Sequence, residues 1–354
     1  MNKVNFLSDT QLIQKLTYGY NHLRFGHFAW QGALLPLVDL ISGNVDSKRR
    51  KPGFDHLKLA LPKIQQLFEQ DSLNIAEGVY PASVLIPENP IQHFSRIPFL
   101  FADAFRAHQQ KRKKKTKEFF ATDELDLNEF PEYYRRNFHF QDNGYLGDKS
   151  ADLYEHQVEV LFAGSADAMR RQVIKPLKEN FSFSQGEGLS FLEIGSGTGR
   201  LTKFVSMAFP KAKITCVDLS PYYLKAARSR LKAMMNVSYL QGMAEELNLK
   251  NESFDAIYSS YLFHELPEET RIKVFKEGHR LLKGGGLYVV ADSLQKNDDT
   301  DLNWALEQFP KDFHEPFYKN YTEKPLELAL GKNGLNVEST QIGFLTKVVV
   351  ARKV

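Results

Sequence analysis

The stretch FLEIGSGTGR, residues 191–200, places an acid and three alternating glycines directly after an apolar run. This pattern is typical of a strand that ends in a loop closely approached by a ligand. A dinucleotide loop needs G-x-G-x-x-G, but the glycines here give G-x-G-x-G, and Arg200 stands where the last glycine would be. Glu193 would repel a phosphate and attract a cation or an amine. The spacing therefore favours a ligand that carries positive charge.

A second acid, Asp218, ends the next apolar run, KITCVDL. An acid at the end of the second strand of a nucleotide-binding sheet accepts hydrogen bonds from ribose hydroxyls. On its own this acid fits a dinucleotide enzyme equally well. Only together with the G-x-G-x-G loop does it favour a different nucleoside ligand.

The elements that position these residues are short β-rich runs alternating with segments of helical period, from about residue 189 onward. Such alternation predicts a wound α/β sheet. Seven strands are predicted, namely LSFLEI, KITCVDL, VSYLQG, FDAIYSS, LYVVADS, NVESTQI and FLTKVVVARK. Ser220 and Pro221 are predicted to cap and begin the helix after strand two. The run KGGG, residues 283–286, is predicted to separate a helix from strand five.

The combination resembles the class I S-adenosylmethionine-dependent methyltransferases. LEIGSGTG resembles that family's first motif, and QGMAEELNLKNESFDAIYSSYLFHELP resembles its stretch from the adenine contact into strand four. The resemblance covers about residues 150–354 and implies an α/β, Rossmann-like seven-stranded methyltransferase sheet. It also implies S-adenosylmethionine as cofactor, with S-adenosylhomocysteine as product.

The resemblance further implies a role for individual residues. An acid at the position of Glu193 holds the cofactor's amino end, usually through water, and Asp218 holds the ribose hydroxyls. Met243 departs from the family, where an acid commonly contacts adenine, so adenine would be held by the backbone around Ala244 and by packing on Met243. The implied cofactor-binding residues are Glu193, Gly195, Ser196, Gly197, Gly199, Asp218, Leu219, Met243, Ala244 and Ser259.

His264, in YLFHELP just after strand four, is the candidate general base, because it lies at the sheet edge where ligands bind in open α/β folds. The alternative is a loop histidine packed on the next helix. Aromatic density in FPKDFHEPFYKNY, residues 309–321, predicts either an acceptor pocket or a lid packed for stability. The candidate substrate-binding residues are Tyr154, Tyr261, His314 and Tyr318.

Residues 1–149 show little strand alternation and several aromatic-rich helical patterns, which predicts a separate, mainly α-helical N-terminal domain. The turn-rich segment 141–150 is the predicted boundary, with Ser150 as N-cap of the next helix. That helical segment would place Tyr145, Tyr154 and Arg171 either over the cofactor or in plain packing against the sheet. The N-terminal domain would complete an acceptor pocket or form a homo-oligomer contact, and the sequence leaves both open.

The formal net charge of the 354-residue chain is only +3, which is not typical of a protein that binds polyanions. The run KRKKKTK, residues 111–117, would suit RNA or an anionic surface, but it follows a helical pattern and we favour a solvated helix end. A single cysteine, Cys216, suits a reducing compartment. No signal peptide or transmembrane segment is recognisable, so we expect a cytoplasmic protein. Histidine and cysteine spacing predicts no metal site.

These observations lead to three functional hypotheses. The first is an enzyme that methylates a small aromatic or apolar metabolite, similar to the ubiquinone and menaquinone branch of the family. The second is a methyltransferase for RNA or protein that docks through the basic N-terminal domain. The third is a non-catalytic cofactor-binding or assembly protein.

Overall fold

The computed structural model describes residues 8–41, 54–87, 126–136, 138, 144–182, 184–313 and 315–354. These residues contain one seven-stranded sheet, whose strands match the seven predicted from the sequence. The strands are β1 (Ser190–Ile194), β2 (Lys213–Asp218), β3 (Val237–Gln241), β4 (Phe254–Ser260), β5 (Leu282–Ser293), β6 (Leu335–Gly343) and β7 (Thr346–Lys353). The predicted α/β, Rossmann-like class is therefore confirmed.

The sheet order is β3-β2-β1-β4-β5-β7-β6, with β1 to β5 parallel and β7 antiparallel to both of its neighbours. The chain runs outward from β1 to β3 and then returns to place β4 on the other side of β1. In open α/β sheets this change of direction leaves a crevice at the carboxyl ends of the strands, where ligands bind. The loop after β1 and the end of β2 both lie at that edge.

Eleven α-helices accompany the sheet in the described part of the chain. They are α1 (Asp9–Ile41), α2 (Phe54–Ala76), α3 (Asp148–Leu161), α4 (Ala166–Arg171), α5 (Ile174–Asn180), α6 (Arg200–Ala208), α7 (Pro221–Arg230), α8 (Glu268–Leu281), α9 (Asn303–Asp312), α10 (Tyr318–Glu323) and α11 (Leu326–Lys332). The two faces of the sheet carry separate apolar cores, because successive side chains on a strand point to opposite sides. On β1, Phe191 packs with α5 and α6, whereas Leu192 packs with α8 and α11.

Local sequence signals explain several element ends. The hydroxyl of Ser220 accepts a hydrogen bond from the Tyr223 N–H at 3.2 Å, which confirms the predicted cap of α7. The predicted cap at Ser150 is wrong. Helix α3 already begins at Asp148, and the Ser150 hydroxyl lies 2.8 Å from the hydroxyl of Tyr223. The glycine run 283–286 lies inside β5 as an irregularity, because pairing with β4 jumps across it.

The N-terminal region is helical where the structure describes it, in α1, α2 and short 3-10 turns. Helix α1 packs against α2 and α3, and α2 packs against α4. The division of the chain at residue 150 stays a prediction. Among the described residues, no helix combines the length and apolar character needed to span a membrane.

Candidate active site

A partly open cleft lies at the carboxyl ends of β1, β2 and β4. Its lining combines glycine backbone, three acids and six tyrosines, and several of these residues come from the segment just before α3. The lining residues are Tyr133, Tyr134, Tyr145, Tyr154, Gly195, Gly197, Asp218, Leu219, Tyr223, Gly242, Ala244, Glu245, Ser260, Tyr261, Leu262, Glu265 and Leu266. Backbone, carboxylates and aromatic rings together suit a nucleoside with a charged tail.

The glycine loop and the end of β2 are joined by hydrogen bonds. The N–H of Gly197 donates to Oδ2 of Asp218 at 2.7 Å, and the N–H of Ser220 donates to Oδ1 at 2.8 Å. Gly195 adopts φ +65°, and a Cβ at that position would lie 2.9 Å from Leu262 Cδ1. A side chain at this position would therefore be strained in this conformation and would press on Leu262.

Two acids near the loop titrate near neutral pH. Burial raises the pKa of Asp218 to about 6, although backbone N–H donors oppose the shift. Burial likewise raises the pKa of Glu193 to about 8, against a hydrogen bond from Thr202. The Thr202 hydroxyl donates to Glu193 Oε2 at 2.6 Å, and Glu193 is only 1% exposed. Glu193 thus lies behind the loop, and its predicted contact with the cofactor's amino end stays a prediction.

One acid in the cleft wall, Glu245, was not predicted from the sequence. Met243 is outside the cleft lining among the described residues, but Gly242, Ala244 and Glu245 belong to it. The hydroxyl of Tyr133 donates to Glu245 Oε1 at 2.7 Å. Glu245 Oε2 is buried and has no hydrogen-bond partner among the described residues. An acidic acceptor is therefore present two residues beyond the position where the family commonly has one.

Aromatic side chains form another part of the cleft wall, next to the glycine loop. Tyr145 contacts Tyr223 and Tyr154 edge-on, with ring centroids 5.5 Å and 6.4 Å apart. The segment before α3 and the start of α7 thus meet over the glycine loop. Tyr133 and Tyr134 come from the run PEYYRR, whose paired aromatics are the signal that could have indicated them.

The residue after β4 has an unusual backbone conformation. Tyr261 adopts φ +55°, a region that is costly for side chains other than glycine and that clusters at functional sites. Its N–H donates to the Ala291 carbonyl at 2.8 Å, and its hydroxyl lies 2.5 Å from Thr346 Oγ1. Bonds at both ends of the residue therefore fix its ring against the cleft.

His264 lies in a buried cluster next to the cleft. Its Nδ1 donates to Asp292 Oδ1 at 2.6 Å, and its Nε2 lies 3.8 Å from Glu265 Oε1. Burial alone would lower the pKa of His264, but the charges of Asp292, Glu265 and Glu315 outweigh it and raise the pKa to about 9. Burial raises the pKa of Glu265 to about 7 and that of Glu315 well above its usual range. Glu265 belongs to both the cluster and the cleft wall.

The structure brings some of the predicted residues together and separates others. Those that line the cleft are Gly195, Gly197, Asp218, Leu219, Ala244, Tyr154 and Tyr261. Those that lie outside the lining are Glu193, Ser196, Gly199, Met243, Ser259, His264 and Tyr318. Ser259 is fully buried, and its neighbour Ser260 faces the cleft instead. His314 and the basic run 111–117 lie outside the described residues.

Two further predicted residues have other contacts. Tyr318 lies with its ring 5.7 Å from the His264 ring, and its hydroxyl is 2.6 Å from Ser293 Oγ. Arg171 does not line the cleft. It binds Asp71 of α2 through Nε and Nη2, both at 2.7 Å, and so joins α4 to α2.

Buried ion pairs and hydrogen bonds hold the glycine loop and the residue that follows it. Arg200, which follows the loop, binds Asp167 through Nε at 2.9 Å and through Nη2. Arg24 of α1 binds the same carboxylate at 2.9 Å. The carbonyl of Thr198, inside the loop, accepts from Arg230 Nη1 at 2.6 Å. Arg200 therefore serves to anchor the loop at the position where a dinucleotide loop has glycine.

A glycine loop after β1, an acid at the end of β2 and a cleft at this edge of the sheet define a class I S-adenosylmethionine-dependent methyltransferase domain. Residues 191–286 match a family profile described as a methyltransferase domain.

The chain is also similar to individual methyltransferases. Malonyl-(acyl-carrier protein) O-methyltransferase of Geobacter sulfurreducens is 29% identical over 180 residues, covering 48% of this chain and 66% of the relative. Demethylmenaquinone methyltransferase of Chlorobaculum tepidum is 35% identical over 108 residues, covering 30% and 42%. A crystal structure of a SAM-dependent methyltransferase from Aquifex aeolicus superposes with a TM-score of 0.41 at 23% identity, covering 52% of this chain and 93% of that one. The chain thus spans less than two thirds of the length of the two enzymes named first.

Proposed function

We propose that this protein transfers a methyl group from S-adenosylmethionine to a small, aromatic or apolar acceptor. The observation that carries the proposal is the pairing of Gly197 with Asp218 at the base of a cleft walled by tyrosines. The two relatives described above are both methyltransferases, one named for malonyl-(acyl-carrier protein) and one for demethylmenaquinone.

The residues present fit this cofactor. In this proposal Asp218 at the end of β2 accepts from ribose hydroxyls, and the bare backbone of Gly195 and Gly197 would allow close approach. We propose that Glu245 Oε2, buried and without a hydrogen-bond partner among the described residues, accepts from the adenine amino group. We propose Ser196, Leu219 and Ala244 as further neighbours of the nucleoside.

The bound sulfonium supplies an electrophilic methyl group. The protein must then align the acceptor in line with the carbon–sulfur bond and limit access of water. Tyr145, Tyr154 and Tyr261 surround the open part of the cleft, and their rings suit an acceptor with an aromatic or apolar body. Tyr318, whose ring lies 5.7 Å from that of His264, and His314 stay proposed substrate-binding residues.

We propose His264 as the catalytic group for acceptors that must lose a proton. Asp292 holds its ring through Nδ1, in the way a carboxylate orients a catalytic imidazole, so that Nε2 is directed to the side where Glu265 meets the cleft. The position of His264 after β4 was predicted from the sequence, whereas its partner on β5 was not.

The experiment has a binding part and a turnover part. Isothermal titration calorimetry with S-adenosylhomocysteine should show one site, and Asp218→Ala should weaken it at least tenfold. Turnover is measured as S-adenosylhomocysteine released with a panel of phenols, quinols and apolar carboxylic acids. His264→Gln should lower turnover by about a hundredfold while changing cofactor affinity less than threefold. Unchanged affinity in Asp218→Ala would remove the cofactor assignment, and equal turnover in His264→Gln would remove the catalytic role.

A further inference from the structure

Three side chains with metal-ligating atoms converge beside the cleft. His264 and Glu265 lie in the short turn Phe263–Glu265 after β4, and Glu315 lies just before α10. One ligand atom from each residue lies within 4.8 Å of the other two. We call these three residues the His264 cluster. Sequence spacing could not indicate it, because Glu315 comes from a different part of the chain.

The imidazole of the cluster is already oriented as a ligand. Asp292 accepts the Nδ1–H of His264 at 2.6 Å, so the lone pair of the neutral ring lies on Nε2. Asp292 is itself fully buried and fixed by the Phe263 N–H at 2.7 Å. Metal-binding histidines characteristically donate their second nitrogen to a carboxylate in this manner.

The cluster also has the burial and charge that a cation would complement. His264 is 6% exposed and Glu315 is 5% exposed. Glu265, Glu315 and Asp292 bring three carboxyl groups around one imidazole. These three carboxyl groups face a single imidazole, and burial makes any unpaired charge among them costly. A divalent ion between the two glutamates would replace their repulsion by attraction.

We propose that the His264 cluster binds one divalent transition-metal ion through Nε2 of His264 and one carboxylate oxygen each from Glu265 and Glu315. Mixed nitrogen and oxygen donors suit Mn²⁺ or Zn²⁺ better than Mg²⁺, which prefers oxygen alone. Ligands on a tetrahedral ion lie about 3.4 Å apart when each is about 2.1 Å from the metal. The 3.8 Å between His264 Nε2 and Glu265 Oε1 is close to that spacing.

Three protein ligands leave coordination positions open, which is typical of catalytic rather than structural metal sites. Since Glu265 lines the cleft, these positions would adjoin the acceptor. Metal binding does not depend on the proposed function, whereas the role of the ion in methyl transfer rests on it. An acceptor O–H held there would lose its proton to solvent more readily, and the oxygen would form the bond to the methyl carbon as the carbon–sulfur bond breaks. When the ion is bound, Nε2 of His264 is a ligand and cannot take the proton itself, so the effect of His264 on the acceptor runs through the ion.

The test uses the full chain dialysed against EDTA and titrated separately with MnCl₂, ZnCl₂ and MgCl₂ by calorimetry. We expect one site for Mn²⁺ or Zn²⁺ that is at least tenfold weaker in Glu315→Gln. Glu269→Gln removes an exposed carboxylate from nearby α8 and should leave the affinity unchanged. Electron paramagnetic resonance of bound Mn²⁺ gives an independent count. Equal affinity in wild type and Glu315→Gln would overturn the proposal.

Cofactor binding distinguishes this proposal from the proposed function. Glu315→Gln should bind S-adenosylhomocysteine normally, which also shows that the variant is folded. If the wild type binds the cofactor product but no metal, the metal site fails and the proposed function stands. If the wild type binds metal through Glu315 but does not bind the cofactor product, the metal site stands and the proposed function fails. Removal and return of Mn²⁺ should lower and restore turnover, and turnover unaffected by EDTA would overturn the assigned role.

Discussion

The pKa of Asp218 leads to a specific prediction for cofactor binding. Only the ionised carboxylate accepts freely from two ribose hydroxyls, and burial raises its pKa to about 6. The carboxylate is therefore available above pH 6 and is lost as the pH falls through that value. Its ionised fraction changes about tenfold between pH 7 and pH 5, which corresponds to about 1.4 kcal/mol of binding free energy.

Calorimetry with S-adenosylhomocysteine at pH 5, 6, 7 and 8 measures this dependence. Glu265 and Glu193, with pKa values raised to about 7 and 8, also titrate in this range. The Asp218→Asn variant keeps the titrating carboxyl groups of Glu265 and Glu193 and removes only that of Asp218. We expect the variant to bind more weakly at pH 7 and to lose about one logarithmic unit of pH dependence. If the affinity for S-adenosylhomocysteine changed equally with pH in wild type and variant, the assignment of Asp218 to the ribose would be refuted.

Two further predictions concern recognition and stability. Glu245→Ala should weaken cofactor binding by about tenfold, because the hydrogen bond that Glu245 accepts is lost. Glu246→Ala, which changes the exposed neighbour, should leave binding unchanged, and calorimetry on both variants measures the difference. Asp71→Ala should lower the free energy of unfolding in urea by about 3–5 kcal/mol, because it leaves the buried guanidinium of Arg171 without its carboxylate. Asp55→Ala, which removes an exposed ion pair, should change it by less than about 0.5 kcal/mol, and similar effects of the two substitutions would contradict this account.

The sheet and the cofactor end of the site could be predicted from the sequence because their signals are local. Alternating apolar residues fix which face of β1 is buried, and an acid that ends β2 must lie at the ligand edge. The helix cap at Ser220 was recognisable for the same reason, since capping involves neighbours in sequence. At Ser150 the same rule failed, because the preceding turn already starts the helix at Asp148.

Contacts between distant segments could not be predicted in this way. Glu245 lines the cleft two residues after Met243, and no local pattern indicates that the turn after β3 places it there. The partner of His264 lies on β5, and Glu315 follows still later in the chain. Nothing in the sequence near any of these residues indicates the others, so packing alone brings them together.

The ion pairs beneath the glycine loop extend into the first helix of the chain. Arg24 shares the carboxylate of Asp167 with Arg200 and also binds Glu159 at 2.7 Å. A chain shortened to residues 150–354 would keep both acids in the interior and lose one of the guanidinium groups that neutralise them. We therefore expect the fragment that the family resemblance covers to be less stable alone than within the full chain, because it lacks Arg24.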